Sequence, residues 1–368
     1  MNAMTHSSPT VDIRSDRTAA KAAPVPDDMA MLRAAAELTR DINTANKAIY
    51  WTDFLGSALL GYAALFAAIM ANSTGMMLAA AVVSIAALYR AGSFIHELTH
   101  IRQRELPGFR FAFNAIMGIP MLVPSFMYEG VHQLHHARTR YGTVEDPEYL
   151  PLALMKPWTV PLFVVLAAFG PIALFVRFAL LTPLSFLIPP LRTFVVERYS
   201  GLVINPEFRR RAPEGEAKKQ WLWQEIAASL WANALLLAVA TNVVPLRSFL
   251  IFLAIFSATI VFNQIRTLVA HLWENDGEVI STTAQFLDSV NVPPPNMIAG
   301  LWAPVGLRYH ATHHLLPSLP YHSLGEAHRR LVAELAPDSL YNRASYSGLP
   351  GLVARLMKST FTVGTMRG

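Results

Sequence analysis

The chain has 368 residues, of which 53% are hydrophobic and only 15% charged, with a mean hydropathy of +0.34; this is too apolar for an ordinary soluble domain and predicts an integral membrane protein. It contains no cysteine, which excludes disulfides, thiolate zinc sites, iron–sulfur clusters and a cysteine nucleophile. The net charge of +5 is small, and Lys and Arg gather in particular loops, a pattern that fits membrane topology better than nucleic-acid binding.

Residues 1–28 hold no apolar stretch that an export machinery would read, and they are expected to form a disordered tail. Segment 29–41 carries apolar residues at helical spacing and predicts a short amphipathic helix, lying on the membrane or packed on its own domain. The apolar runs 54–71 and 77–95, joined by the polar NSTG, are each long enough to cross a hydrocarbon core of ~30 Å and predict a first transmembrane hairpin. Run 111–128 is moderately apolar and is expected to be interfacial or re-entrant. Run 158–190 is strongly apolar but broken by Pro161, Gly170, Pro171, Arg177 and Pro183, which predicts a tight helical pair or two surface-lying helices. Runs 226–244 and 248–265, with a turn at Pro245, predict a second hairpin.

Both hairpin turns are nearly free of charge, whereas Arg102, Arg104, Arg138, Arg140, Arg209, Arg210, Arg211, Arg308, Arg329 and Arg330 lie in the other loops. By the positive-inside rule those loops and both termini are expected on the cytoplasmic side of the cell (inner) membrane. The expected fold is all-α: two transmembrane hairpins, interfacial helices and a cytoplasmic cap within a domain spanning 29–345, followed by a C-terminal helical tail, 346–368.

Nine histidines carry the chemistry. His96 and His100 stand in HELTH, His132, His135 and His136 in HQLHH, His271 alone, and His310, His313 and His314 in HATHH. Residues three and four apart are neighbours on a helix, so each box gathers its imidazoles toward one point, as a metal site requires. Two hairpins place all the boxes on one side of the membrane, where they can share a site. Neutral imidazole suits borderline divalent metals, and eight or nine ligands match two ions rather than one. A pair of irons could activate dioxygen against an unactivated C–H bond of a lipid chain.

Rival readings use fewer of these residues. HELTH is also HExxH, the pattern of a zinc metalloprotease with Glu97 as general base, which leaves both HxxHH boxes idle. The pairs Glu97/His100 and Glu129/His132 resemble the ExxH of ferritin-like di-iron bundles, with Glu197, Glu225 or Glu274 as further ligands. A metal-storage or metal-sensing membrane protein is a non-enzymatic reading of the same boxes. Glu97, Glu129, Asp276 and Asp288 are candidates to orient ligand rings, against the plainer reading that they are solvated. For Arg138, Arg140 and Arg308 topology outweighs anion binding, for His322 and His328 a structural role outweighs ligation, and His6 is irrelevant. Trp51, Trp158, Trp221, Trp223 and Trp231 fit an interfacial belt.

The order HELTH, HQLHH about thirty residues on, and HATHH after a second hairpin resembles the membrane fatty acid desaturase family, with its related hydroxylases, ketolases and alkene-forming decarboxylases; the resemblance spans about residues 50–330. It implies a non-haem di-iron centre held by His96, His100, His132, His135, His136, His310, His313 and His314, with His271 as a further ligand. Where some members have an Asn holding a metal-bound water, this chain has Thr267; Asn263 and Asn275 are the candidate substitutes. It further implies O2, a fatty-acyl or similar lipid substrate and an external electron donor of ferredoxin, rubredoxin or cytochrome type. Desaturation is the leading expectation, ahead of hydroxylation and decarboxylation.

Overall fold

The computed structural model describes residues 24–366; the expectation of disorder for the first part of the N-terminal tail, and His6 with it, lie outside the described residues. The described residues form helices and no strand. α1 (Met29–Leu38) begins at Asp28, whose carboxylate accepts from Ala30 N and Met31 N, and its apolar face buries Met31 and Ala35. It therefore packs on the protein: Met31 and Ala35 join a core with Phe286, Ala311 and Tyr341. The stretch just before it is also tied down, because Val25 accepts from Ser281 and Asp27 pairs with Arg138 at 3.0 Å.

The first hairpin is α2 (Lys47–Met70) and α3 (Thr74–His100). Asn46 caps α2 by accepting from Ala48 N and Ile49 N, and Ser73 of the NSTG turn caps α3 by accepting from Met76 N. The helices touch closely at Gly61, where an added Cβ would fall 2.7 Å from Leu88 Cδ2, and Ser84 donates to the Gly61 carbonyl at 2.9 Å. At 27 residues α3 is about 40 Å long, more than a ~30 Å hydrocarbon layer needs, so its last turns, with His96 and His100, are lifted toward the layer's edge.

The second pair is α8 (Gly215–Ala240) and α9 (Leu246–Leu268), which follow α4 (His132–His135), α5 (Thr159–Ala167), α6 (Gly170–Leu187) and α7 (Pro189–Tyr199). It is splayed: α9 packs on α2, α3 and α5, whereas α8 packs on the 176–181 turn of α6. Arg247 at the start of α9 donates to the Ile69 carbonyl at 2.7 Å, which puts the turn ends of both pairs together and leaves the ends bearing histidines together.

Among the described residues five helices are long and apolar enough to cross a membrane, the four above and α6. The 158–190 stretch nevertheless leaves and rejoins the same cap: Ala153 N bonds the Trp273 carbonyl before it, and Leu202 N bonds the Met127 carbonyl after it. It thus preserves the sidedness that the histidines need. Arg177 is accommodated by Glu225, at 2.6 Å, which also pairs with Arg192 at 2.8 Å. Run 111–128 folds back on itself, with Asn114 Oδ1 accepting from Ser125 N at 2.8 Å, in keeping with a re-entrant segment. Beyond α9 the cap comprises α10 (Thr282–Asp288), α11 (His310–Leu315), α12 (Leu324–Glu334) and α13 (Leu349–Met366), the last burying Leu352 and Leu356 against Leu152 and Val292.

A side chain at the Gly61 crossing must push Leu88 and the α3 backbone away. Gly61→Val is expected to cost about 1–3 kcal/mol and lower the thermal midpoint of the detergent-solubilised protein, while Gly56→Val, where an added Cβ meets nothing within 4 Å, leaves it unchanged. Equal midpoints for the two variants would show that the crossing is not tightly packed.

Candidate metal centre

Four separate stretches converge on one buried spot. The last two turns of α3 supply His96 and His100, the single turn of α4 with its C-terminal residue supplies His132, His135 and His136, the residues just past α9 supply His271, and α11 supplies His310, His313 and His314. All nine expected histidines meet there, in two groups. His96, His100, His132, His136 and His313 form one, and His135, His271, His310 and His314 the other; within each, one nitrogen per ring lies within 4.8 Å of every other.

Helical geometry explains who goes where. Each (i, i+4) pair, 96/100, 132/136 and 310/314, stays in one group because the two rings sit one above the other. His135 and His313 each lie one residue, about 100° of helix rotation, from His136 and His314 and cross to the opposite group.

The rings present lone pairs inward. His132 Nε2 lies 3.0 Å from His136 Nε2, which is 3.2 Å from His313 Nε2; His271 Nε2 lies 3.1 Å from His310 Nε2 and 3.3 Å from His135 Nε2. The Nδ1 atoms of His135, His132 and His271 face outward to partners, whereas those of His310 and His313 are buried without one. His135 Nδ1 donates to Asp146 at 2.9 Å, and His132 Nδ1 donates to Glu148 at 2.9 Å beside the Tyr128 hydroxyl. Because the proton is held on Nδ1, each Nε2 keeps a bare lone pair. His271 Nδ1 meets the Tyr141 hydroxyl at 2.8 Å, and that hydroxyl also donates to Asp288 at 2.8 Å.

Electrostatics agree with neutral rings. Burial first, and neighbouring imidazoles second, hold His132, His136, His313 and His314 well below the ordinary histidine range. Burial likewise holds down His271 and His310, with the Arg266 guanidinium adding to it. Burial also acts to lower His135, but Asp146 and the nearby carboxylates outweigh it and leave that ring raised. Burial pushes Glu148 and Asp288 up to about 7.

A cation resolves what the protein alone leaves open. Nε2 of His96 and of His100 is buried without a hydrogen-bond partner, and mutual contacts of unprotonated Nε2 atoms are repulsive unless a positive charge sits between them. All-imidazole sets of five and four donors fit two borderline divalent ions.

The carboxylates meet varied fates. Glu97 lies 3.4 Å from His96 Nδ1, but it takes the Tyr50 hydroxyl at 2.5 Å and Tyr321 N at 3.2 Å, and Asp288 reaches His271 only through Tyr141. Glu129 pairs with Arg110 at 2.5 Å, and Asp276 lies at the exposed surface. The oriented pairs His135/Asp146 and His132/Glu148 escape sequence reasoning, although the acidic run EDPEY ten residues after HQLHH is the signal that could have found them. Arg266, with its Nε buried and unpartnered, is likewise unforeseen.

Several other expectations resolve structurally. Thr267 donates to the Asn263 carbonyl at 2.9 Å, and Asn275 bonds the Glu278 carbonyl at 2.9 Å. His322 accepts from Asn46 N at 3.0 Å, His328 bonds Tyr341, and Arg308 donates to the carbonyls of Val292 and Asn296, all structural contacts. Trp221 departs from the interfacial belt: it is 3% exposed, stacked on Phe126 and covered by Arg210, because re-entrant segment 111–128 packs over the start of α8.

The protein-family model described as fatty acid desaturase matches residues 72–346. A "Ceramide hydroxylase" of Caulobacter vibrioides (strain NA1000 / CB15N) is 50% identical over 322 residues, which cover 88% of this chain and 92% of that protein.

If Glu148 orients His132, Glu148→Gln is expected to weaken metal retention about 10- to 100-fold in chelator competition, with the thermal midpoint of the metal-free protein little changed. Retention equal to the unsubstituted protein would remove Glu148 from that role.

Proposed function

The chain belongs to the fatty acid desaturase family, and from that premise we propose that it is a membrane di-iron oxygenase that hydroxylates a ceramide-type lipid with O2 and electrons from an external donor. The observation that carries the reading is the sorting of nine histidines, seven buried and two half-buried, into sets of five and four whose ring nitrogens face one another. Bound there, two iron ions would supply reductive activation of dioxygen, enough to oxidise an unactivated C–H bond.

The chain's own residues do the rest. All nine imidazoles would ligate, through the inward Nε2 in each ring whose Nδ1 faces an outward partner; Asp146, Glu148 and the Tyr141–Asp288 pair fix ring tautomer and direction. Burial of the rings keeps bulk water from the reacting atoms. Net hydroxylation consumes O2, two electrons and two protons, inserts one oxygen into a C–H bond and releases water. The positive-inside distribution of Arg and Lys supports a cytoplasmic position for the centre, where a soluble donor of ferredoxin or rubredoxin type, or a cytochrome, has access.

Hydroxylation takes precedence over desaturation because of the hydroxylase relative, whose similarity runs nearly end to end. Desaturation is the second reading, favoured by the family's own description. The zinc-protease reading loses its general base, since Glu97 is engaged by Tyr50 and Tyr321. The ferritin-like reading loses its carboxylates, since Glu225 is held by Arg177 and Arg192 and Glu274 by Arg355.

Expression in a host that makes ceramides but lacks the activity, followed by lipid mass spectrometry, is expected to show ceramides that gain one oxygen. His135→Ala and His313→Ala, each removing a donor from a different set, are expected to abolish that product with membrane insertion intact. The purified protein is expected to carry about two irons per chain. A loss of two hydrogens would favour desaturation; full activity of either variant would remove the di-iron assignment.

A further inference from the structure

On the reverse side of the second histidine box lies a cavity of about 550 Å³ that the chemistry above does not use. Leu134, on the face of α4 turned away from the imidazoles, forms one wall, and the first turns of α8 and the loop at 208–213 form the others. Five arginines line it: Arg110, Arg140, Arg209, Arg210 and Arg211. Glu129 lines it as well and is engaged by Arg110, while Arg140 pairs with Glu145 at 3.4 Å and Arg209 with Glu207 at 3.8 Å, which leaves Arg210 and Arg211 without a carboxylate partner among these ion pairs.

Two further donors at the cavity have nothing to bond. Trp221 Nε1 is buried without a partner. Gln224 is fully buried, and since its Oε1 accepts from Phe126 N at 2.9 Å its amide orientation is fixed, leaving Nε2 unpartnered as well. Both residues belong to the lining of a space already surrounded by guanidinium groups. A negatively charged ligand rich in acceptor oxygens matches that guanidinium lining. Guanidinium forks match phosphate oxygens, and the positive end of the 26-residue α8 adds to the attraction.

Size and surroundings narrow the ligand class. A concave cavity of this volume suits a small molecule or headgroup rather than the broad face of a protein partner. It opens at the histidine-bearing end of α8, whose outward side chains Leu222, Ile226, Leu230 and Leu237 are exposed and apolar and would meet lipid tails. Basic cavities between helices at that depth are where phosphate headgroups bind. We propose that this arginine-lined cavity is a binding site for the phosphate headgroup of a lipid whose tails lie along the outer face of α8.

The site is independent of the metal centre and of the reaction assigned to it. Native mass spectrometry of the detergent-solubilised full chain tests it, with dihexanoyl phosphatidic acid, dihexanoylglycerol and inorganic phosphate as probes. Phosphatidic acid is expected to form a one-to-one adduct while dihexanoylglycerol does not. Arg209→Gln/Arg211→Gln is expected to weaken that adduct at least tenfold; Arg209 bonds only within its own loop and Arg211 is exposed, so the fold should tolerate the change. Inorganic phosphate binding as tightly as the lipid would mark a free-anion site and overturn the lipid assignment. Absence of an adduct, or adducts equal in the variant and the unsubstituted protein, would overturn the site itself.

Discussion

Nine imidazole nitrogens pointing into one buried volume cannot be stable on their own account. Neutral rings with their protons turned outward to Glu148 or directed at Tyr141 leave lone pairs facing lone pairs, and a cation between them makes that arrangement favourable. Much of the fold can be understood as the framework that holds this unfavourable geometry ready. α3 is longer than a membrane requires so that its last turns can present His96 and His100, and the splayed α8 and α9 leave the end of α9 free to deliver His271 beside α11.

Holding a cap against a hairpin needs specific ties, since apolar packing alone does not fix register. Tyr321, in the segment after the last box, donates its hydroxyl to Asp53 at 2.7 Å and its backbone N–H to Glu97 at 3.2 Å. Asp53 is in turn forked by Arg90 at 2.5 and 2.6 Å, and Glu97 receives the Tyr50 hydroxyl. One network thus joins α2, α3 and the cap within two residues of His96. Removing one member of such a network leaves the others buried and unpaired, which is why its pieces act together.

The same economy explains the odd charges in apolar segments. Arg177 in α6 is neutralised by Glu225 of α8, which also takes Arg192, so one carboxylate anchors both the break after α6 and the helix that returns the chain to the cap. Among the arginines at 209–211, Arg209 has Glu207 at 3.8 Å, whereas Arg210 donates to the Glu129 carbonyl and lies over Trp221, beside a cavity lined by five arginines.

Apolar run length and the spacing of histidines three and four apart determined, from the sequence alone, the helical membrane class, the four long helices of the two pairs and eight of the nine candidate ligands, because both signals are local; the lone His271 came from the family resemblance. The tertiary structure alone decided how those ligands divide. Adjacent His135 and His136 serve different sets, as do His313 and His314, since neighbours on a helix point about 100° apart and the partner each ring meets comes from a segment more than a hundred residues away. The orienting carboxylates Asp146 and Glu148 were marked only by the acidic run EDPEY, and the arginine cavity was hidden because its residues share no spacing and come together only where separate stretches of chain are packed side by side.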